Sequence, residues 1–267
     1  MTRLVINGIR GRMGQALVQL TGAADDLRIL AGIGRTAADG AAAESFGAPR
    51  VVRTEDAAAV IRDADIVIDF SNAAATSGLL QHAGDVLAGK ALLVGTTGLT
   101  TDTARTLEQL AAVTAVLSAA NFSIGVNLLL ALTERVAAVL DADHYDVEIV
   151  ESHHRSKADA PSGTALAFGR AVAAGRNVDL AQTRRDGRSG AVGERPRGEI
   201  GFHAVRGGGV VGEHRVLFLG ARERVELVHE ATDRTLFAEG ALRAARWLAG
   251  RAPGRYEMRD VLGIAPP

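Results

Sequence analysis

Short apolar runs punctuated by glycine fill the first half of the chain, and alternating polar and apolar residues fill much of the second. Leu4-Val5-Ile6 ends in Asn7-Gly8, a helical pattern follows from Met13 to Leu20, and Leu27 to Ile33 is the next apolar run. Ala64-Asp65-Ile66-Val67-Ile68-Asp69-Phe70, Ala91-Leu92-Leu93-Val94 and Ala115-Val116-Leu117 read as further strands, with Val51-Val52 as a minor one. Helices are expected from Glu55 to Ile61, after a cap at Ser71 or Asn72, and from Asp102 to Ala112, with Thr36 to Pro49 mainly loop. Continuously apolar strands suit a sheet buried on both faces, and their alternation with helices predicts βαβ units and a mostly parallel sheet.

The rhythm changes between residues 121 and 126, which marks a domain boundary. Val126 to Leu140 reads as one long apolar helix, and Asp146-Val147-Glu148-Ile149-Val150-Glu151 alternates as a half-buried strand does. Arg224 to Glu230 alternates too, Arg215 to Leu219 is strand-like, and Thr235 to Leu248 returns to a helical pattern. Arg184 to Arg197, dense in Gly, Arg and Ser, predicts a long exposed loop. The expectation is an α/β, Rossmann-type domain followed by an α+β domain whose sheet exposes one face.

Composition narrows the function classes. The chain has 267 residues, enough for one large domain or two modest ones, with 47% hydrophobic, 23% charged and only 4% aromatic residues. A formal net charge of −1 gives no global field for nucleic acid or an anionic membrane. With no cysteine, disulfides, thiolate catalysis and Cys-ligated metal sites are excluded. No apolar run approaches a membrane span and the N-terminus runs straight into a strand pattern, so a cytoplasmic protein is expected.

Two stretches carry candidate chemistry. Gly8-Ile9-Arg10-Gly11-Arg12-Met13-Gly14 lies between the first strand and the first helix, where glycines let backbone N–H groups approach a pyrophosphate at a helix N-terminus. Its Gly-x-x-Gly-x-x-Gly spacing is one residue longer than the usual dinucleotide fingerprint, and a glycine-rich turn without a ligand is the plain alternative. The acidic residue that commonly binds a ribose 2′-hydroxyl is replaced by Gly34-Arg35, which favours NADPH over NADH, unless Arg35 is merely solvated and Asp39 serves the ribose. Gly95-Thr96-Thr97-Gly98, Ala119-Ala120-Asn121-Phe122 and Asp69-Phe70-Ser71 also follow strands and are either cofactor contacts or ordinary turns and caps.

Glu151-Ser152-His153-His154-Arg155-Ser156-Lys157-Ala158-Asp159-Ala160-Pro161-Ser162-Gly163-Thr164 is the densest signal in the chain. Clustered cations ahead of a helix start, with Ser162 or a neighbour as N-cap, make a site for a small, multiply charged anion. His153, His154 and Lys157 can each move a proton, and Asp159 can orient one of them. Neighbouring strand residues point to opposite faces, so both histidines need not share a site. Two histidines without a carboxylate cluster make a poor zinc site, so no metal is expected. A second glycine-rich stretch, Val205-Arg206-Gly207-Gly208-Gly209-Val210-Val211-Gly212-Glu213-His214, either shapes the substrate pocket or forms a tight turn between strands, the structural reading being preferred, with Glu213 and His214 as lesser candidates.

With these motifs in hand, the chain resembles the 4-hydroxy-tetrahydrodipicolinate reductase (dihydrodipicolinate reductase) family, through GIRGRMG at Gly8, GTTG at Gly95, AANFSIGVN at Ala119, ESHHRSKADAPSGTA at Glu151, GGGVVGEH at Gly207 and MRDVL at Met258. The resemblance implies a dinucleotide-binding domain from residues 1–124 with 235–267, an inserted substrate-binding and oligomerisation domain with an open mixed sheet at 125–234, and a homotetramer. It implies NAD(P)H-dependent reduction of a cyclic imine dicarboxylate in the diaminopimelate route to lysine. His153 would be the catalytic proton donor and acceptor and Lys157 the proton donor. His154, Gly163 and Thr164 would bind substrate carboxylates. Gly8, Ile9, Arg10, Gly11, Arg12 and Met13, then Gly95, Thr96 and Thr97, then Ala119, Ala120, Asn121 and Phe122 would line the cofactor. Gly34 departs from many members, where an acidic residue stands, and this puts NADH use in question. A reductase of another acidic imine and a non-catalytic NADPH sensor are the alternative readings.

Overall fold

Each apolar run of the first half is a strand of one sheet. In the computed structural model, which describes residues 1–34 and 49–265, the chain forms β1 (Thr2–Asn7), α1 (Arg12–Thr21), β2 (Leu27–Ile33), β3 (Val51–Val52), α2 (Ala57–Ile61), β4 (Ile66–Asp69), α3 (Ala73–Ala83), β5 (Ala91–Val94), α4 (Thr101–Leu110) and β6 (Ala115–Ser118). Then come α5 (Ile124–Val139), β7 (Asp146–His153), α6 (Gly163–Gly175), α7 (Leu180–Thr183), β8 (Arg184–Asp186), β9 (Ile200–Arg206), β10 (Gly212–Leu219), β11 (Arg224–Ala231), α8 (Thr235–Leu248), β12 (Gly254–Tyr256) and α9 (Met258–Leu262). Two compact units result: Met1–Ser123 with Thr235–Gly263, and Ile124–Arg234 with the tail from Ile264.

The first unit holds a seven-stranded sheet in the order β12-β6-β5-β4-β1-β2-β3, parallel at every pairing. Successive side chains of a strand face opposite ways, so Leu4, Ile6, Ile66, Ile68, Leu93 and Leu117 pack with α1 and α8 on one face. Val5, Val67, Leu92 and Val116 pack with α2, α3 and α4 on the other. Burial on both faces is why these strands carry almost no polar residue until their C-terminal ends. There Asn7 is in register with Asp69, Asp69 with Val94, and Val94 with Ser118, which lines up the loops that follow β1, β4, β5 and β6.

The second unit holds a five-stranded mixed sheet in the order β11-β10-β7-β9-β8. β7 and β8 run parallel to β9, whereas β10 is antiparallel to both β7 and β11. One face buries Val147, Ile149, Ile200, Phe202, Val216 and Phe218 against α5 and α6. The other face carries Asp146 and Glu148, bound to Arg195, with Arg188 and His203 also on Glu148. The 184–197 segment is therefore not simply an exposed loop. It opens with strand β8, and Arg188 and Arg195 are only 24% and 18% exposed, because they reach back to a half-buried Glu148. Among the described residues, no helix is long and apolar enough to cross a membrane.

Candidate active site

In the first unit the glycine-rich loop is shaped by close backbone packing. Gly8 takes φ +82°, and a Cβ there would lie 2.4 Å from the Phe70 carbonyl oxygen; one on Gly14 would lie 2.4 Å from that of Gly8. Gly11 donates its N–H to the Gly8 carbonyl at 2.8 Å and forms the N-cap of α1 without any side-chain cap. The first-turn N–H groups of α1 thus have no acceptor within the helix and suit an anion. A groove of about 900 Å³ opens here, lined by Gly8, Arg10 and Gly11, by Gly34 at the end of β2, and by Arg53 and Ser71 among others. Ile9 is buried, and its side chain fills the space that Gly32 leaves open; Met13 is half-buried against the core and Arg12 is exposed. Arg35 and Asp39 lie outside the described residues.

The strand ends beside this loop are tied together by Asp69, which is fully buried. Its Oδ1 accepts from Asn7 Nδ2 at 3.1 Å, Ser71 N at 3.0 Å, Ser71 Oγ at 2.5 Å and Thr96 Oγ1 at 3.1 Å, and its Oδ2 accepts from Thr76 Oγ1 at 2.6 Å. Burial raises the Asp69 pKa, opposed by the hydroxyl donors. Thr96 therefore turns its hydroxyl inward, and the cap of α3 is Asn72, which accepts from Ala75 N at 3.0 Å. Gly95 is needed because a Cβ there would lie 2.1 Å from the Phe70 ring. Phe122 is core, edge-on to Phe70 at 5.3 Å, whereas Thr97 and Ala120 are exposed and Ala119 and Asn121 half-buried.

In the second unit the cation-rich stretch leaves the end of β7. His153 places Nδ1 2.5 Å from Glu151 Oε2 and stacks edge-on against His214 at 5.1 Å. His154 points elsewhere, its Nδ1 2.8 Å from Ser156 Oγ. Lys157 is paired with Asp159 at 2.9 Å. Ser162 caps α6 by accepting from Ala165 N at 3.1 Å, which sets Gly163 and Thr164 in the first turn, Gly163 exposed. Burial lowers the His153 pKa; the nearby charges of Lys157 and Arg206 act in the same direction, whereas Glu151 opposes them. Burial, aided by His153, pushes His214 down to about 3, and its Nε2 sits 3.1 Å from Ser162 Oγ.

Two groups at these sites have no assigned role in the sequence motifs, Glu151 and Arg206, and Asp69, read there as part of a cofactor contact or a turn, is a buried acceptor instead. Glu151 had a readable signal. In the alternating strand it holds the inward position after Val147 and Ile149, where a core residue is expected. The glycine stretch after β9 is not a hairpin turn, since β9 and β10 lie on either side of β7. It passes over the end of β7, with Gly207 donating to the His153 carbonyl at 3.0 Å.

Residues 2–122 match the family model described as dihydrodipicolinate reductase, N-terminus, and residues 125–262 the model for its C-terminus. The 4-hydroxy-tetrahydrodipicolinate reductase of Acidiphilium cryptum is 50% identical over 98% of each chain, and that of Alkalilimnicola ehrlichii 45% identical over 98% of this chain and 99% of its own. A dipicolinate-bound dihydrodipicolinate reductase from Paenisporosarcina sp. TG-14 shares the fold, with TM-score 0.70 at 24% identity over 96% of this chain and 97% of that one. Full-length identity at this level, together with family matches that cover both units, settles the lineage: the chain belongs to the dihydrodipicolinate reductase family.

Proposed function

We propose that this protein catalyses the NAD(P)H-dependent reduction of 4-hydroxy-tetrahydrodipicolinate to tetrahydrodipicolinate, in the diaminopimelate route to lysine. The observation that carries the reading is that, in the second unit, His153 and Ser162, the N-cap of α6, both bond the buried carboxylate of Glu151, while Lys157 sits on the short loop between them, paired with Asp159. A small cyclic dicarboxylate suits this stretch: the amides of Gly163 and Thr164 receive one carboxylate and His154, on the adjoining loop with its Nδ1 on Ser156, is assigned to the other, while His153 and Lys157 handle the proton. The relative crystallised with dipicolinate supports this ligand class.

The first unit serves as the dinucleotide-binding domain and the second binds substrate and mediates assembly. Gly8, Gly11 and the uncapped start of α1 receive the pyrophosphate, with Arg10 beside them; Ile9, Arg12 and Met13 contribute through the backbone of the same turn. Backbone groups of Gly95, Thr96 and Thr97, and of Ala119 to Phe122, complete the cofactor site. A bound reduced nicotinamide supplies the hydride. The balance is one hydride and one proton added to the substrate and its 4-hydroxyl lost as water. Gly34 leaves no carboxylate at the end of β2 to repel a 2′-phosphate; Arg53 lines the same groove beside Glu55, with which it is paired at 3.6 Å, and Arg35 is next in sequence as a further cation, so NADPH is preferred. A homotetramer in the cytoplasm completes the proposal; Val205 on β9 and Val228 on β11 are 53% and 46% exposed, apolar area that a second copy can cover.

The test is oxidation of NADPH and of NADH, followed by loss of nicotinamide absorbance, with substrate generated in situ from pyruvate and aspartate semialdehyde by the preceding synthase. Substrate-dependent oxidation, faster with NADPH, is expected. Folded protein that binds NADPH but turns over nothing would instead identify a sensor, and turnover only of a different imine would move the substrate assignment.

A further inference from the structure

Glu151 is 1% exposed, on a strand whose other inward residues, Val147 and Ile149, are wholly apolar and wholly buried. An ionised carboxylate survives in such a place only if its lone pairs are satisfied. Arg206, in register with His153 on the neighbouring strand β9, does most of this: its Nη2 lies 2.6 Å from Oε1 and its Nη1 2.7 Å from Oε2, a two-pronged pairing. Ser162 N donates to Oε1 at 3.0 Å. Arg206 Nη2 also donates to the Asp159 carbonyl at 2.7 Å, which anchors the loop that carries Lys157. Burial alone would raise the Glu151 pKa, but Arg206, His153 and the Ser162 amide outweigh it and hold the group below its ordinary value.

A carboxylate in this state only accepts hydrogen bonds. The His153 atom facing it, Nδ1, must therefore carry hydrogen, and in the neutral ring Nε2 is left with a lone pair. The charged and titratable groups around that ring are Glu151 on its own strand, Arg206 on β9, His214 on β10 and Lys157 on the following loop. Two of them are cations, and His214 is itself neutral near pH 7. Nε2 points toward Gly212, where even a Cβ would come within 3.1 Å, so the absence of a side chain there leaves the nitrogen uncovered.

We propose that Glu151 is a positioning residue for the reduction: held by Arg206, it fixes His153 as the Nδ1–H tautomer, makes Nε2 a proton acceptor, and leaves proton delivery to Lys157. This rests on the reductase reading above and divides the labour that the motif left shared between His153 and Lys157. Among the described residues, none of the other groups around His153 accepts a hydrogen at Nδ1: His214 meets it only ring to edge, and Lys157 and Arg206 donate but do not accept.

Glu151→Gln tests this directly. The amide oxygen best replaces Oε1, which accepts from both Ser162 N and Arg206 Nη2; the amide NH₂ then takes the place of Oε2, gives up the Arg206 Nη1 bond, and donates to His153 Nδ1, driving the hydrogen to Nε2. Long-range ¹H–¹⁵N spectra of ¹⁵N-histidine-labelled protein near pH 7 read the tautomer without any ligand. The wild type should show a protonated Nδ1 and a bare Nε2 at His153, and the variant the reverse. In steady-state assays kcat should fall by roughly 10²–10⁴-fold, the range for a misplaced acid–base proton, with nucleotide KM unchanged. A wild-type His153 that is an Nε2–H tautomer or an imidazolium at pH 7 overturns the proposal, even if the variant fails to fold. A folded variant that switches tautomer yet keeps full kcat overturns it too. If the wild-type enzyme turns over no imine with either nucleotide, the reductase reading fails and the proposal with it, although the tautomer measurement still stands on its own.

Discussion

Removing the Asp69 carboxylate should separate structural from electrostatic effects in the proposed nucleotide site. Five hydrogen bonds converge on this group, from Asn7, Ser71 (twice), Thr76 and Thr96. Asp69→Ala deletes all of them. Some donors have a second partner: Thr76 Oγ1 reaches the Asn72 carbonyl at 3.2 Å, and Ser71 N reaches Thr96 Oγ1 at 3.0 Å. The Thr96 hydroxyl keeps no acceptor. One orphaned buried donor costs about 1–3 kcal/mol and each lost bond about 0.5–1.5 kcal/mol, so the alanine variant should lose roughly 3–5 kcal/mol. Asp69→Asn keeps Oδ1 for its four donors and turns an NH₂ toward Thr76, whose hydroxyl can accept it; the cost should stay below about 1.5 kcal/mol. Trp247, the only tryptophan, lies on α8 in the same unit and reports its urea unfolding. Because burial raises the folded-state pKa of Asp69 above its ordinary 3.8, the wild type's advantage over Asp69→Asn is fully present below pH 3.8 and declines as pH rises through the folded pKa. Nucleotide KM should rise about tenfold or more in the alanine variant, whose strand ends are no longer tied, and little in the asparagine one. Equal losses for the two variants, or an advantage that grows with pH, would refute the account of Asp69 as a desolvated hub.

Three further outcomes are expected. Gly14→Ala should cost about 2–3 kcal/mol and raise nucleotide KM, since its Cβ would lie 2.4 Å and 2.5 Å from the carbonyl oxygens of Gly8 and Ile9, whereas Gly22→Ala, 3.5 Å from its nearest neighbour, should be nearly neutral by urea unfolding. Lys157→Ala should lower kcat about 10²–10⁴-fold with NADPH affinity by fluorescence titration unchanged; weakened nucleotide binding with normal turnover at saturation contradicts its role. His214→Gln should flatten the acid limb of the stability profile. His214 is held neutral, its pKa lowered from 6.5 to about 3, so its contribution is present above pH 6.5 and lost as pH falls toward 3, at up to about 1.4 kcal/mol per pH unit; an unchanged limb in the variant argues against that burial cost.

The fold class was legible because burial leaves a strong mark on residue order. Leu4-Val5-Ile6 and Ile66-Val67-Ile68 carry apolar side chains on both faces, and both faces are covered. What the pattern hid is equally physical. β9 reads poorly as a strand because its outward position 201 is a glycine, and it is glycine because the Glu148 carboxylate occupies the space, within 1.8 Å of where a Cβ would be. The same carboxylate draws Arg188 and Arg195 onto the sheet, so a segment with loop composition is held by ion pairs across about 40 to 50 residues of chain. Such ties leave no periodicity behind.

The candidate site shows the same division between residue type and partner. That His153, Lys157 and a helix start belong together is visible from their spacing, because they are neighbours in the chain. Which nitrogen of His153 holds the hydrogen depends on Glu151, and the state of Glu151 depends on Arg206, 55 residues downstream on another strand. Chain order places Arg206 beside a glycine-rich stretch and suggests a turn; sheet order places it opposite His153. Inward-facing charge in an alternating strand is the one local clue, since Val147, Ile149 and Glu151 share a face and only the last carries a charge. A carboxylate at such a position requires a cation from elsewhere in the fold. In this chain that requirement ties His153, the N-cap of α6 and the loop that carries Lys157 to a single ion pair.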